Sequence, residues 1–410
     1  MPQQDKKRVA VIVGSGFSSA LTGGETPILG NKPLPTLGVL TDSLLQHMEE
    51  LETTDTPIPF SKGLLQSSIS VLRKNAARPE SEKYNFEEFI SLLSIGAALS
   101  RATDSSGLTA MPGSDPRTLR CILYCLSDFF ASRLSYDEGT KANRNFFYRV
   151  NDVARAKAMK EGIWKLVDEC ETTFISFNYD GIVEAFLDHW LGEDRGFRYL
   201  VELSHAIPLA MPEHVYSRRD NRDFSRLPRV PLVLKPHGSI HFFQLREELR
   251  GLMSGPTMAA VQPRLDIGFN PSTGQRDIPD IQFWEFADPV PVIIPPLLNK
   301  DSYFGGHYFQ AMLRLVVEAV QKADHVLVIG FSLPPSDLHV CAAFETIDWT
   351  GKTLGLVSGG GSTDKTRTED HWRRAAGSAN FTIVNNTGLP VNSVAEINAF
   401  WDSIRGFLQT

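Results

Sequence analysis

The sequence is poor in cysteine. Four thiols, Cys121, Cys125, Cys170 and Cys341, are scattered over 410 residues, with no CxxC pair and no regular spacing. That excludes a disulfide framework and fits free thiols in a reducing compartment. Long apolar runs are lacking as well: no stretch reaches the ~18 residues that would cross a bilayer. No charged segment followed by an apolar run opens the chain, so a cytoplasmic protein without leader or membrane contact is expected. Excess charge of one sign is also lacking. The 41 Lys and Arg against 48 Asp and Glu leave a formal net charge of −7, which argues against a surface built to track nucleic acid. There is no internal repeat, heptad run or low-complexity tail. With 42% hydrophobic and 22% charged residues, the chain has the make-up of a globular protein with a sizeable core.

The first ordered feature is Arg8-Val9-Ala10-Val11-Ile12-Val13, an apolar run rich in valine and stopped by glycine. Such a run reads as a strand buried on both faces, as in parallel sheets covered by helices. From about 41 to 170 the apolar residues recur at helical spacing. Leu44, Leu45, Met48 and Leu51 form one set; Phe86, Phe89, Ile90 and Leu93 another; Leu119, Ile122, Leu123, Leu126, Phe129 and Phe130 a third. This predicts a mostly helical insertion with little sign of strands, broken by a Gly/Ser/Pro-rich loop over 105–116. Strands are then expected at 173–177, 231–235 and 290–294, with an irregular insertion at about 190–288. From 308 onward helices and strands alternate: strands at 325–329, 353–357 and 381–384, helices at about 308–322, 336–346, 366–376 and 393–407. Alternation of this kind means βαβ units. The fold class is therefore α/β, a Rossmann-like doubly wound parallel sheet with a large helical insertion, in a single domain over 1–410.

In open parallel sheets, ligands bind beyond the carboxyl ends of the strands. Those ends carry Gly14-Ser15-Gly16, Asn178-Tyr179-Asp180, Pro236-His237-Gly238, Gly330-Phe331-Ser332 and Ser358-Gly359-Gly360-Gly361. Glycines after a buried strand let backbone N–H groups approach a pyrophosphate. As a dinucleotide fingerprint the first motif is incomplete, because Ser19 stands at the third glycine and no acidic residue follows at the required distance. A dehydrogenase is disfavoured on that ground. Ser358 begins a glycine run that fails the P-loop frame and could line an adenosine pocket or be a surface turn. His237 could serve as a general base or be a structural histidine. His241, four residues on, suggests a metal pair, but no third ligand follows at suitable spacing, and no metal is expected. Asn178 and Asp180 could orient a water, a ribose hydroxyl or a polar ligand group, or simply form a local turn.

Four of these motifs, in this order, resemble the sirtuin family, and more closely the sirtuin-like NAD-cleaving proteins of bacterial antiviral defence. Gly14-Ser15-Gly16-Phe17-Ser18 is similar to the first glycine-rich motif. Ser176-Phe177-Asn178-Tyr179-Asp180 resembles T-Q-N-x-D, Lys235-Pro236-His237-Gly238-Ser239 resembles the H-G motif, and Gly330-Phe331-Ser332-Leu333 resembles G-[TS]-S-L. Three departures stand out. No cysteine lies between His237 and Gly330, where sirtuin deacylases carry a zinc ribbon. Phe177 replaces the glutamine before the asparagine. The P-D-F-R segment is absent, Thr26-Pro27-Ile28-Leu29 being the nearest stretch.

The resemblance implies NAD+ as substrate rather than as a retained cofactor, and cleavage of its nicotinamide–ribose bond. Asn178 would position water and a ribose hydroxyl, His237 would accept a proton, and Asp180 would hold the nicotinamide carboxamide. Gly14, Ser15, Gly16, Phe17 and Ser18 would cradle the pyrophosphate, with Gly330, Ser332 and Ser358 completing the nucleotide site. It further implies latent activity, switched by homo-oligomerisation or by a defence partner such as a HerA-type ATPase or a short Argonaute. The alternatives are an NAD- or ADP-ribose-binding regulatory module without hydrolysis, which would need neither Asn178 nor His237, and a protein deacylase, which would want the zinc cysteines.

Overall fold

The computed structural model describes residues 6–35, 37–54, 58–79, 81–103, 115–134, 147–187, 209–210, 231–245, 258–260, 264–266, 287–293, 307–334, 337–359 and 362–409. Most of the expected loop at 105–116 and most of the expected irregular insertion at 190–288 lie outside them.

The chain opens with β1 (Arg8–Val13) and α1 (Ser15–Thr22). Four helices follow: α2 (Leu37–Thr53), α3 (Lys62–Ala76), α4 (Phe86–Thr103) and α5 (Pro116–Leu134). The apolar residues singled out by their spacing in α2, α4 and α5 are all buried except Leu45, which packs half-buried against the same core. Ser61 caps α3 by accepting the Leu64 N–H at 3.3 Å, and a His47–Asp128 pair at 3.0 Å ties α2 to α5. This stretch is not free of strands. A short β2 (Phe147–Arg149) pairs with β8 (Arg264–Asp266); three residues are too few to show a period-2 pattern.

Next come α6 (Val153–Glu169), β3 (Glu171–Ser176) and α7 (Ile182–Leu187). Asp152 caps α6 through the Arg155 N–H at 2.9 Å. At Gly162 a Cβ would fall 2.1 Å from the Trp401 ring, so that glycine lets α6 lie close against the C-terminal helix. The middle of the chain supplies β4 (Leu209–Ala210), β5 (Leu232–Leu234), β6 (Gly238–Leu245), β7 (Met258–Ala260) and β9 (Ala287–Ile293). The last third alternates α8 (His307–Lys322), β10 (His325–Ile329), α9 (Leu338–Glu345), β11 (Thr353–Val357), α10 (Ser362–Ala375), β12 (Asn380–Asn385) and α11 (Val394–Gln409).

Six strands form a sheet in the order β12-β11-β10-β1-β3-β5, with every pairing parallel. β1 and β10 are buried along almost their whole length, which is what a central strand covered on both faces requires. This is the doubly wound sheet expected from the alternation. β1 is the first strand in the chain yet lies inside the sheet, so successive strands depart from it in opposite directions. That makes the carboxyl ends of β1, β10 and β3 a topological switch point.

A second sheet, β4-β7-β6-β9, has β6 antiparallel to β7 and β9 and was not expected from the pattern. Its β9 carries Pro289 and Pro291, which are tolerated because β9 is an edge strand. Among the described residues no helix is long and apolar enough to cross a membrane.

Candidate active site

Three glycines shape the switch point by letting two backbones touch. A Cβ on Gly14 would fall 2.5 Å from the Gly330 carbonyl oxygen, and one on Gly16 2.9 Å from the Gly330 Cα. Gly330 has φ +64 and would itself strike the Phe17 nitrogen. The turn after β1 is thereby pinned to the turn after β10. Gly14 N–H donates to the Ile329 carbonyl at 3.1 Å, Gly16 N–H to that of Gly330 at 3.0 Å, and Phe17 N–H to that of Gly14 at 3.0 Å. The cradle is thus narrower than the sequence implied. Of the first three amides of α1, only that of Ser15 has no backbone acceptor among the described residues, and Ser15 is exposed.

Asn178 follows directly. The Phe177 N–H donates to the Val13 carbonyl at 2.9 Å, extending the β1–β3 ladder by one bond. The Asn178 amide then reaches across, donating to the Gly14 carbonyl and to Ser18 Oγ, both at 2.9 Å. With the amide nitrogen so fixed, Oδ1 has no hydrogen-bond partner among the described residues and is the atom left for a ligand. Two residues on, Asp180 Oδ1 accepts the Ile182 N–H at 3.0 Å and caps α7. Its carboxylate still lines the same cleft.

His237 stands in the turn between β5 and β6. Gly238, with φ +76, closes that turn; a Cβ there would meet the Val292 carbonyl oxygen at 2.2 Å. The imidazole is 1% exposed. Its Nδ1 lies 3.8 Å from Glu87 Oε1 and its Nε2 3.6 Å from Asp337 Oδ1. The Phe177 ring packs edge-on against it at 5.1 Å and stacks on Phe331 at 4.2 Å. Glu87 comes from α4 and is fixed by the Tyr179 hydroxyl, which donates to it at 3.0 Å. Asp337 immediately precedes α9.

These groups border one cleft of about 80 Å³, lined also by Ser15, Ser18, Ser19, Phe130 and Ser332. Among the described residues its charged lining is Glu87, Asp180 and Asp337, with His237 and neither Lys nor Arg. The cleft suits a cationic ligand group better than a phosphate.

Behind the Asn178 loop lies a buried polar layer. Lys235 donates to the Asp180 carbonyl and to Ser176 Oγ, and pairs with Glu184 at 3.2 Å. Burial raises the Glu184 carboxyl above its usual range, and the Lys235 ammonium pulls the other way. The Tyr148 hydroxyl accepts the Gly181 N–H at 2.9 Å and bonds His241 Nε2 at 2.6 Å. Burial, with Lys235 adding to it, pushes the His241 imidazole down to about 3. His241 therefore supports the loop, neutral, and takes no part with His237.

Of the residues singled out beforehand, Asn178, His237, Asp180, Gly14, Ser15, Ser18 and Ser332 meet at the cleft. Gly16 and Gly330 build the turns, and the Phe17 side chain is buried in the core. Ser358 is buried just past the end of β11, where its N–H donates to the Asn385 carbonyl and its own carbonyl accepts from the Gly388 N–H, and it is not among the residues lining the cleft. Glu87 and Asp337 were not foreseen. Glu87 gave a weak signal as a carboxylate next to the apolar stripe of α4, and Asp337 only that of a helix cap.

The fold and cleft define an α/β protein with a polar site at the switch point of a doubly wound sheet. No protein-family model matches the chain, and no curated protein matches it. One solved structure that it resembles is a mutant Sir2 homologue in complex with ADP-ribose. Identity is 11%, the match covers 98% of this chain and 94% of that one, and the TM-score is 0.34. A likeness that faint carries no weight for the chemistry.

Proposed function

We propose that this chain hydrolyses NAD+ at the nicotinamide–ribose bond, releasing nicotinamide and ADP-ribose. The observation that carries the reading is the meeting of Asn178 and His237 in a cleft lined, among the described residues, by three carboxylates and by no Lys or Arg. The order of motifs along the chain supports it independently.

The bond breaks through an oxocarbenium-like state, as in glycoside hydrolysis. The C1′–N bond gives its electron pair to the nicotinamide ring, which leaves neutral, and positive charge gathers on the ribose. At an effective dielectric of ~20, a carboxylate about 5 Å from that charge is worth roughly 3 kcal/mol. Glu87, Asp180 and Asp337 thus favour the shift of positive charge from the pyridinium to the ribose to the extent that they stand nearer C1′ than the ring. Asn178 Oδ1 holds the ribose hydroxyl or the attacking water. Water oxygen bonds C1′, and His237 takes the proton and returns it to solvent. The acidic cleft takes the cationic nicotinamide riboside end of the dinucleotide. The pyrophosphate and adenosine therefore lie outside it, past the Ser15 amide and over the strand ends.

Unrestrained cleavage would drain a cell of NAD. We place the activity in antiphage defence, latent until self-association or a partner of the HerA-type ATPase or short-Argonaute kind releases it. The test is nicotinamide release from NAD+ by the purified full chain, with and without candidate partners and with and without an acetylated peptide. Release without peptide is expected, and Asn178→Ala or His237→Ala should abolish it, since a general base contributes roughly 10²–10⁴-fold. Turnover equal to wild type in either variant would remove the assignment, and peptide-dependent release would make the chain a deacylase.

A further inference from the structure

Two residues beyond Asp337, on the first turn of α9, stands His339. Its ring centroid is 5.9 Å from that of His237. One ligand atom each from His237, Asp337 and His339 lie within 4.8 Å of one another, and the His237 Nε2–Asp337 Oδ1 separation is 3.6 Å. In a tetrahedral zinc site with bonds of about 2.0–2.1 Å, ligand atoms stand about 3.4 Å apart. One edge is therefore already near its length, and the third ligand atom, on His339, lies within 4.8 Å of the other two. Asp337 and His237 are each 1% exposed, while His339 is half-buried and leaves an approach from solvent.

We propose that His237, Asp337 and His339 form a site for a divalent transition-metal ion of the zinc class. Two imidazoles and a carboxylate suit such an ion, and a position left open for water is usual in such sets. The surroundings favour a cation: Glu87 and Asp180 line the same cleft, and among the described residues no Lys or Arg does. The ion's bond to His237 uses Nε2, which faces Asp337, while Nδ1 faces Glu87. A filled site therefore withdraws the lone pair that would accept a proton. This consequence, metal-silenced NAD cleavage, rests on the function proposed above; the binding site itself does not.

The test is equilibrium dialysis of the chelator-stripped full chain against zinc sulfate, with zinc per chain measured by elemental analysis. Wild type should retain one zinc per chain at micromolar free zinc. His339→Ala and Asp337→Ala should each lower the affinity at least about tenfold, with melting temperatures near wild type. Cys341→Ser, which removes the half-buried thiol of the same helix, should bind as wild type does. Equal zinc retention by wild type and His339→Ala, or none by wild type, overturns the site. Zinc should also stop nicotinamide release by wild type, reversibly with chelator, and spare His339→Ala. If no preparation releases nicotinamide, the proposed function fails while the dialysis still decides the metal site.

Discussion

His237 and His241 are four residues apart and end in different chemistry. The first faces the cleft between two carboxylates; the second lies beneath it, wholly buried, against the Tyr148 hydroxyl. Burial holds His241 neutral down to about pH 3, whereas in the unfolded chain it takes a proton below about pH 6.5. Between those limits the unfolded state binds more protons, so the contribution to stability is full above about pH 6.5 and is lost as pH falls towards 3. Glu184 acts in the opposite sense, because its raised value makes the folded chain the better proton binder above the usual carboxylate range. Comparing wild type with one substitution separates the two. His241→Gln keeps an amide within reach of Tyr148 but cannot titrate. The variant should be less stable by about 1–3 kcal/mol at neutral pH, from disturbed packing and hydrogen bonding. Its melting temperature should then fall less steeply than wild type between about pH 6.5 and about pH 4.5. Parallel curves for the two proteins would show that His241 does not carry this dependence.

At the scale of elements, α4 gives the cleft a group that no strand end could supply. Glu87 is held by Tyr179 across 92 residues of sequence and sets a carboxylate beside His237 Nδ1. We treat it as a positioning residue that keeps the proton on Nδ1 and the lone pair on Nε2. Glu87→Gln retains an acceptor for Tyr179 and loses only the charge. An orienting carboxylate at hydrogen-bond distance can be worth ~10⁴; at 3.8 Å the expected loss in kcat is roughly 10–100-fold. KM and melting temperature should stay near wild type, and Glu87→Asp should recover part of the rate. A rise in KM with kcat unchanged would assign Glu87 to substrate binding instead. The pattern made β10 and β11 legible to the residue, because a short, largely apolar run bounded by turn residues can be read from one strand alone. β9 was only partly legible: its two prolines are admissible once its place at a sheet edge is known. The glycine turn was legible in position, and its glycines also serve a backbone contact with Gly330 that one strand end alone could not reveal. Glu87 was illegible because its meaning lies in a partner far along the chain.

On the function proposed above, the whole molecule places opposite demands on NAD+ at two ends of one site. The inner cleft carries three carboxylates and suits the cationic nicotinamide riboside. The pyrophosphate must avoid it, and the exposed Ser15 at the head of α1 offers the amide and helix terminus that an anion favours. With NAD+ as the ligand, its charges would fix its direction across the switch point, ribose inward and adenosine outward over β10 and β11. ADP-ribose lacks the pyridinium but keeps the anionic half, so it should bind and stabilise the fold by linkage. At a ligand concentration 100 times Kd the gain is about 2.7 kcal/mol, which for a chain of this length is a rise of a few degrees in Tm. The measurement is best made on His237→Ala, in which NAD+ is not consumed. Both NAD+ and ADP-ribose should raise its Tm, and nicotinamide alone should do so far less, because it forgoes every contact of the anionic half. Added salt should weaken the ADP-ribose shift, since its anchor is an exposed helix terminus screened over about 8 Å at physiological ionic strength. A shift from nicotinamide as large as that from ADP-ribose would place the binding energy in the acidic cleft and reverse the orientation argued here.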